Sequence, residues 1–257
     1  MTSSSPSANA TQKAIPVRRR LHWGWIGGVP YGPTAALQEA LRQDIRFDRG
    51  EEHFLLLEHD PPVYTIGRNA SEADVVAGET WRERLGIEVH STNRGGKVTF
   101  HGPGQLVGYP ILDLDPDRRD IRRFVFDLQE ALIRTLADYG IEGERRDGQD
   151  FIGVWVGPRK IASIGIHLSR WITNHGFALN VGTDLDLFGG IIACGLPDVQ
   201  MTSMERLLGT APPLAEVAER VAHHTLDIYQ REGVAFDPAS IRSRIADHAR
   251  ELTESPP

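Results

Sequence analysis

Residues 151–181 read FIGVWVGPRKIASIGIHLSRWITNHGFALNV, and this stretch decides the fold class. It divides into three strand-like segments, 151–156, 160–167 and 171–181, with Gly157-Pro158 punctuating the first pair as a hairpin. Working outward, 53–66 reads as two short strands broken at Asp60-Pro61-Pro62, and 96–113 as two strands joined through Gly102-Pro103-Gly104. Helical spacing flanks this strand-rich middle. Residues 33–46 place Ala36, Leu37, Ala40 and Leu41 on one face after Pro33. Residues 120–139 carry a stripe from Ile121 to Tyr139, with Asp120 to cap and Gly140 to stop it. Thr202 with Glu205 reads as a capping box opening a short helix, and helices near 213–231 and 238–249 follow. Without a regular βαβ alternation, the pattern predicts an α+β fold, a mixed or antiparallel sheet flanked by helices. Residues 18–250 read as a single domain, between a disordered N-terminal tail at 1–17 and a short C-terminal tail at 251–257.

Composition narrows the function classes. The chain has 257 residues, 25% of them charged, and a net charge of −7, which argues against a general nucleic-acid binder. No apolar run reaches the roughly 18–20 residues of a bilayer span, and the N-terminus has no secretory h-region, so a cytoplasmic protein with no membrane association is expected. A single cysteine, Cys194, excludes an internal disulfide. Of 28 basic residues only Lys13, Lys97 and Lys160 are lysine. Arginine stays protonated in proteins, whereas a buried lysine can act as a base.

Two nucleotide signatures fail. Arg94-Gly95-Gly96-Lys97 lacks the earlier glycine and the following Ser/Thr of a phosphate loop, and Gly102-Pro103-Gly104 does not complete GxGxxG. Ten histidines form no HxxxH or HExxH pair, so no metal is expected. Cys194 lies in IIACGLP (191–197), where a lone thiol reads either as a small core hydrophobe or as a nucleophile. As a nucleophile it needs a proton acceptor, because only about 3% of an unperturbed thiol ionises at pH 7. His101, His167, His175 and Lys160 are the candidates. For lysine, the role requires the charged form to be disfavoured by about 3–4 kcal/mol through burial. The His101 loop TFHGPGQ reads as a ligand approach or as a plain tight turn.

At these residues the sequence resembles the lipoyl(octanoyl) transferase family. RGGKVTFHGPGQLVGYPILDL (94–114), LEHDPPVYTIG (57–67), KIASIGIHLSRWITNHGFALNV (160–181) and IIACGLPDVQMTS (191–203) look like four ordered blocks of that family. The intervals match as well, with Cys194 34 residues and His175 15 residues after Lys160. The resemblance runs from about residue 24 to about 230. It implies the α+β fold of biotin and lipoate protein ligases. It also implies the activity of an octanoyl-acyl-carrier-protein:protein N-octanoyltransferase in lipoate biosynthesis, with no cofactor. On the matching positions, Cys194 would accept the acyl group and Lys160 would move its proton. Substrate would be bound by Arg94, Gly95, Gly96, Lys97, Val98, Thr99, Phe100 and His101, by Ser163, Ile164 and Gly165, and by Gly176, Phe177 and Ala178, with His59 and His175 in support. Implied partners are octanoyl-acyl carrier protein as donor and, as acceptors, the lipoyl domains of 2-oxoacid dehydrogenase E2 subunits and the glycine cleavage H protein, with the enzyme a monomer. Ala193 departs from the proline that often precedes the cysteine. Arg118, Arg119, Arg122, Arg123 and Arg159 are candidates for a basic docking patch. An ATP-dependent ligase, an amidotransferase between lipoyl domains and a non-catalytic acyl-binding module are the rival readings.

Overall fold

The computed structural model describes residues 18–115, 117–148, 151–192 and 199–254. Its elements run, in chain order, β1 (Arg20–Val29), α1 (Tyr31–Arg46), β2 (Glu52–His59), β3 (Val63–Ile66), α2 (Glu79–Arg84), β4 (Glu88–Ser91), β5 (Thr99–His101), β6 (Gln105–Ile111), α3 (Ile121–Ala137), β7 (Gly153–Val156), β8 (Arg159–Ser169), β9 (Ile172–Asn180), α4 (Met204–Leu208), α5 (Leu214–Tyr229), β10 (Glu232–Ala235) and α6 (Pro238–Glu254). The α+β expectation holds. A mixed seven-stranded sheet has the order β10-β1-β2-β6-β9-β8-β7, and a small sheet the order β4-β3-β5. The β10-β1-β2 end is parallel and the remainder of the large sheet antiparallel.

Period-two alternation sorts the large sheet's side chains between two helical layers. Phe54 and Leu56 of β2, with Leu106 and Leu179, face α3 and α5, whose Phe124, Leu128, Val217 and Val221 complete one core. Leu55 and Leu57, with Val107 and Ala178, face α1 and α6 through Leu37, Leu41, Ile241 and Ile245. A third core gathers Tyr64, Val98, Phe100, Phe188 and Met201 beside the small sheet. A buried ion cluster fastens the strand starts. The Glu52 carboxylate accepts from Arg231 at 2.7 Å and pairs with Arg19 at 2.6 Å, while Arg231 also reaches Asp117.

The two strands of 96–113 appear as read, joined through Gly102-Pro103-Gly104, and they lie in different sheets. β5 joins β3 in the small sheet and β6 lies between β2 and β9. The Gly102-Pro103-Gly104 link therefore carries the chain between sheets, and Gly104, at φ +79, packs against the Gly182 carbonyl where a Cβ would sit 2.4 Å away. The cap of α4 is Ser203, whose Oγ accepts from the Arg206 N–H, rather than Thr202. Thr202 is held instead by Lys160, whose carbonyl accepts its N–H at 2.9 Å. α6 also continues to Glu254, past the expected tail boundary at 250. Among the described residues no helix is long and apolar enough to cross a membrane. The expected tail at 1–17 lies outside the described residues.

Candidate active site

Strand β8 pairs with β9 on one edge, and on the other edge it has a second neighbour beyond β7. β7 accompanies it only over Arg159–Ser163, and further along the Gly95 N–H donates to the Ile166 carbonyl at 2.8 Å. Between these two contacts lies a cavity of about 320 Å³. Its lining includes Arg94–Thr99, His101, Lys160, Ser163–Ile166 and His175–Ala178, together with Tyr31, Asn69, Tyr109, Val125 and Ile152. Every residue expected to bind substrate lies on this wall except Phe100, which turns away to pack edge-on against Tyr64 and Phe188. The rim is half-buried or exposed, at Asn69, Gly96, Lys97, Val125, Ile152 and Ile164, whereas Tyr31, His101, Tyr109 and His175 form a buried floor.

The rim loop is pinned by its own backbone. Arg68 N–H donates to Arg94 O and Asn69 N–H to Gly96 O, and Gly67 lies so close to Gly96 that a Cβ would meet its carbonyl at 2.4 Å. Arg94 is buried and grips Thr65 of β3 through Nε and Nη2. Its guanidinium thus serves as a staple between sheet and loop and as a source of positive potential for the floor.

Lys160, the second residue of β8, is 3% exposed. Its N–H donates to the Gln200 carbonyl, and its Nζ lies 5.6 Å from the centroid of the Trp155 ring. The stem of the lysine fits into space left by Gly153, at φ +146, where a Cβ would come within 2.6 Å of Lys160 Cε and 2.3 Å of the Ala162 carbonyl. Gln129 of α3 holds Gly153 by donating to its carbonyl at 2.8 Å. Gly153→Ala is therefore expected to destabilise the fold by about 2–3 kcal/mol and to displace the lysine. Thermal unfolding and the rate of acyl-adduct formation should both fall, and an unaltered rate would show that the lysine does not depend on this slot.

The floor is polar but uncharged. His59 Nδ1 faces the Val29 carbonyl, which only accepts, so His59 carries its proton there and Nε2 accepts from the Tyr109 hydroxyl at 2.7 Å. Burial lowers His59 to about 4. A relay fixes His101 in the same way. The Thr202 carbonyl accepts from Asn180 Nδ2, so Asn180 Oδ1 accepts from Gln105 Nε2, and Gln105 Oε1 accepts from His101 Nδ1. His101 Nε2 keeps its lone pair at the cavity wall. Burial first, then the neighbouring His59 and Arg94, holds its pKa well below the ordinary value. His175, with φ +58 in the middle of β9, faces Asn93 through Nε2, and burial followed by Arg94 lowers it to about 3. Tyr31 is raised to about 12 by burial. Sequence reading missed Tyr31 and Tyr109. Both sit within ordinary apolar-looking stretches, and only the fold brings them to His59 and His101.

Cys194 lies outside the described residues. The chain on either side is placed. The Ile192 N–H donates to the Asp74 carbonyl, and Gln200 to Thr202 run alongside Lys160. The expected basic patch is thinned by internal pairing. Arg118 and Arg123 both reach Asp127 and Arg119 reaches Asp115, whereas Arg159 donates to Gln200. No metal-ligating group of three or more His, Cys, Asp or Glu occurs among the described residues.

The family model of the lipoyl protein ligase A/B catalytic domain matches residues 30–226, a span holding β2 to β9 and the whole cavity wall. The chain belongs to this family. Its relatives include a protein named octanoyltransferase from Solibacter usitatus, 50% identical over 80% of this chain and 92% of the relative. Another of that name from Rubrobacter xylanophilus is 48% identical over 76% and 87%. Within the family the chain thus groups with the octanoyltransferases. The fold is shared more widely. A lipoate-protein ligase A bound with ATP superposes with a TM-score of 0.66 at 16% identity, over 92% of this chain and 94% of that one. A structure from the archaeal lipoylation system of Thermoplasma acidophilum, a bipartite lipoate protein ligase and its E2 lipoyl domain, gives 0.62 at 18% over 91% of each chain.

Proposed function

We propose that this chain is an acyltransferase that moves an octanoyl group from octanoyl-acyl carrier protein, through a thioester on Cys194, to a lysine of a lipoyl domain in a 2-oxoacid dehydrogenase E2 subunit or the glycine cleavage H protein. Octanoyl transfer is the activity that the name of its relatives carries, and the matching family model is that of lipoyl protein ligases, which supports a place in lipoate biosynthesis. The observation that supports the route is the buried Lys160 in the wall of a cavity with apolar sides, on a strand bonded to the chain that follows Cys194. Val98, Val125, Ile152, Ile164, Phe177 and Ala178 offer the acyl chain its apolar contacts.

The chemistry balances without ATP. Lys160 takes the Cys194 proton, and the thiolate attacks the donor thioester carbonyl. The tetrahedral intermediate expels the carrier thiolate, which takes the proton back from Lys160. One thioester has replaced another, so the step is near thermoneutral. The acceptor lysine then loses a proton to Lys160 and attacks the acyl-enzyme. The Cys194 sulfur leaves with the second amine proton, Lys160 releases the first to solvent, and an amide forms, which makes this second step downhill. The Gly95 N–H is taken by the Ile166 carbonyl, so at this glycine loop the Gly96 N–H is the candidate donor to the oxyanion.

Intact-mass analysis tests this reading. Purified protein mixed with octanoyl-acyl carrier protein in the absence of ATP is expected to gain one octanoyl group, and Cys194→Ala none. Addition of a lipoyl domain should discharge the adduct. An intact carrier protein with no adduct on the wild type, or an adduct that survives Cys194→Ala, would overturn it.

A further inference from the structure

Strand β8 presents an unpaired stretch of backbone edge to the cavity. β7 covers that edge only as far as Ser163, which lies opposite Gly153. At the other end of the gap the Ile166 carbonyl accepts from the Gly95 N–H. That bond fixes the direction of the groups between. A strand residue sends its N–H and C=O to the same side, and the side alternates from each residue to the next. The register of β8 with β9 is unbroken from Ala162 to Ser169, so Ile164 and Ile166 both turn away from β9. The Ile164 N–H, the Ile164 C=O and the Ile166 N–H therefore point into the gap, and among the described residues no hydrogen bond reaches them. The edge is open as well. β8 is half-buried from Ser163 onward while β9 beside it is buried throughout, and Ser163–Ile166 line the cavity. Lys160 reaches the same gap. Its Cε packs where a Gly153 Cβ would lie 2.6 Å away, and Gly153 is opposite Ser163, the residue before Ile164.

We infer that this edge holds the pantetheine arm of the acyl donor, whose amides add to β8 as a short strand would and bring the thioester to Lys160. The inference rests on the function proposed above. A free strand edge is a template for any extended chain that carries amides. In the arm of an acyl carrier, two carbons separate the thioester sulfur from the nearest amide nitrogen. A thioester held at Lys160 therefore sets that amide beside Ile164, where its N–H donates to the Ile164 carbonyl. The next amide of the arm lies further along the edge, where its carbonyl accepts from the Ile166 N–H. A polypeptide strand fits the gap less well, because it would have to continue past Gly95 at one end and β7 at the other. The arm is unbranched over this stretch and needs no such room. Its place on the rim leaves the buried floor to the acyl chain.

The test compares two donors of equal length, octanoyl-pantetheine and the analogue in which an ester oxygen replaces the amide nitrogen nearest the sulfur. The kcat/KM for acyl-enzyme formation is expected to be about 3- to 10-fold higher with the amide, the worth of one hydrogen bond. NMR-detected hydrogen exchange gives the position. The probe is the same arm bearing its octanoyl group through nitrogen in place of sulfur, which binds without transfer. It should slow exchange at the Ile164 and Ile166 N–H and leave Ala162, which faces Val154 of β7, unchanged. Equal kcat/KM for the two donors, or unaltered exchange at both isoleucines, would overturn the inference. Protection by a lipoyl domain and not by the arm would overturn it in favour of the acceptor's backbone. Absence of octanoyl transfer from the carrier protein would instead refute the proposed function, and the exchange measurement, which needs no turnover, keeps the two failures distinguishable.

Discussion

Lys160→Met should slow formation of the octanoyl adduct by about 10²–10⁴, the range over which a positioned general base accelerates proton transfer. Methionine is close to the lysine stem in length and is apolar. It should lie against Trp155 and in the space left by Gly153, so the fold is expected to keep its thermal midpoint or gain slightly. The separation of the two readouts gives the experiment its force. A rate that falls with an unchanged midpoint assigns the lysine to the chemistry. A wild-type rate would return Cys194 to one of the histidines, of which His101 and His175 line the cavity. Discharge of a preformed acyl-enzyme by a lipoyl domain should slow as well, because the same amine serves both half-reactions.

Acid should loosen the fold through the histidines of the cavity floor before carboxylates come into play. His59 is lowered to about 4 and His175 to about 3, in each case chiefly by burial, and His101 shifts in the same direction. In the unfolded chain these rings take up a proton near pH 6.5, while the folded protein keeps them neutral. Between pH 6.5 and about 4 the unfolded state therefore binds more protons, and stability falls as pH falls. His59 alone accounts for about 3 kcal/mol over that window, taking 1.36 kcal/mol per pKa unit. Urea unfolding at steps from pH 7.5 to 4.5 is expected to lose several kcal/mol. His175→Gln should flatten the slope, since it removes one of the buried proton acceptors. A flat profile above pH 5 would mean that the floor histidines are hydrated and titrate normally.

Much of the fold was legible because its signals are local. The three strands of 151–181, the Asp120-capped helix and the break at Asp60-Pro61-Pro62 appear as read, since turn chemistry and apolar periodicity suffice to place them. β1 was not legible. It carries Gly24, Gly27 and Gly28, a composition that reads as loop, and its strand state depends on β2 and β10 on either side and on Phe236, which packs over Gly24. Thr202 matched a capping pattern, but its backbone is claimed by Lys160, a contact no local window contains. The site divides in the same way. The glycine-flanked loop, Lys160 and the His175 block announced themselves through composition and through resemblance. Phe100 turned away because alternation along β5 gives Thr99 and His101 to the cavity and Phe100 to the core of the small sheet, and Tyr31 entered because α1 begins where β1 ends, beside His59 of β2.

The parallel pairing of β1 with β10 joins residues near 20 to residues near 232, so the large sheet is completed only when both ends of the chain are in place. A fragment cut to the span shared with the family, 30–226, would lose β1, β10 and α6 together. It would bare the backbone edge of β2 and strip Ile241 and Ile245 from α1. Such a fragment should aggregate rather than fold. During synthesis, the nascent chain must also carry β1 and β2 without the β10 edge until the last thirty or so residues emerge, a folding order set by high contact order and not by the order of the catalytic motifs.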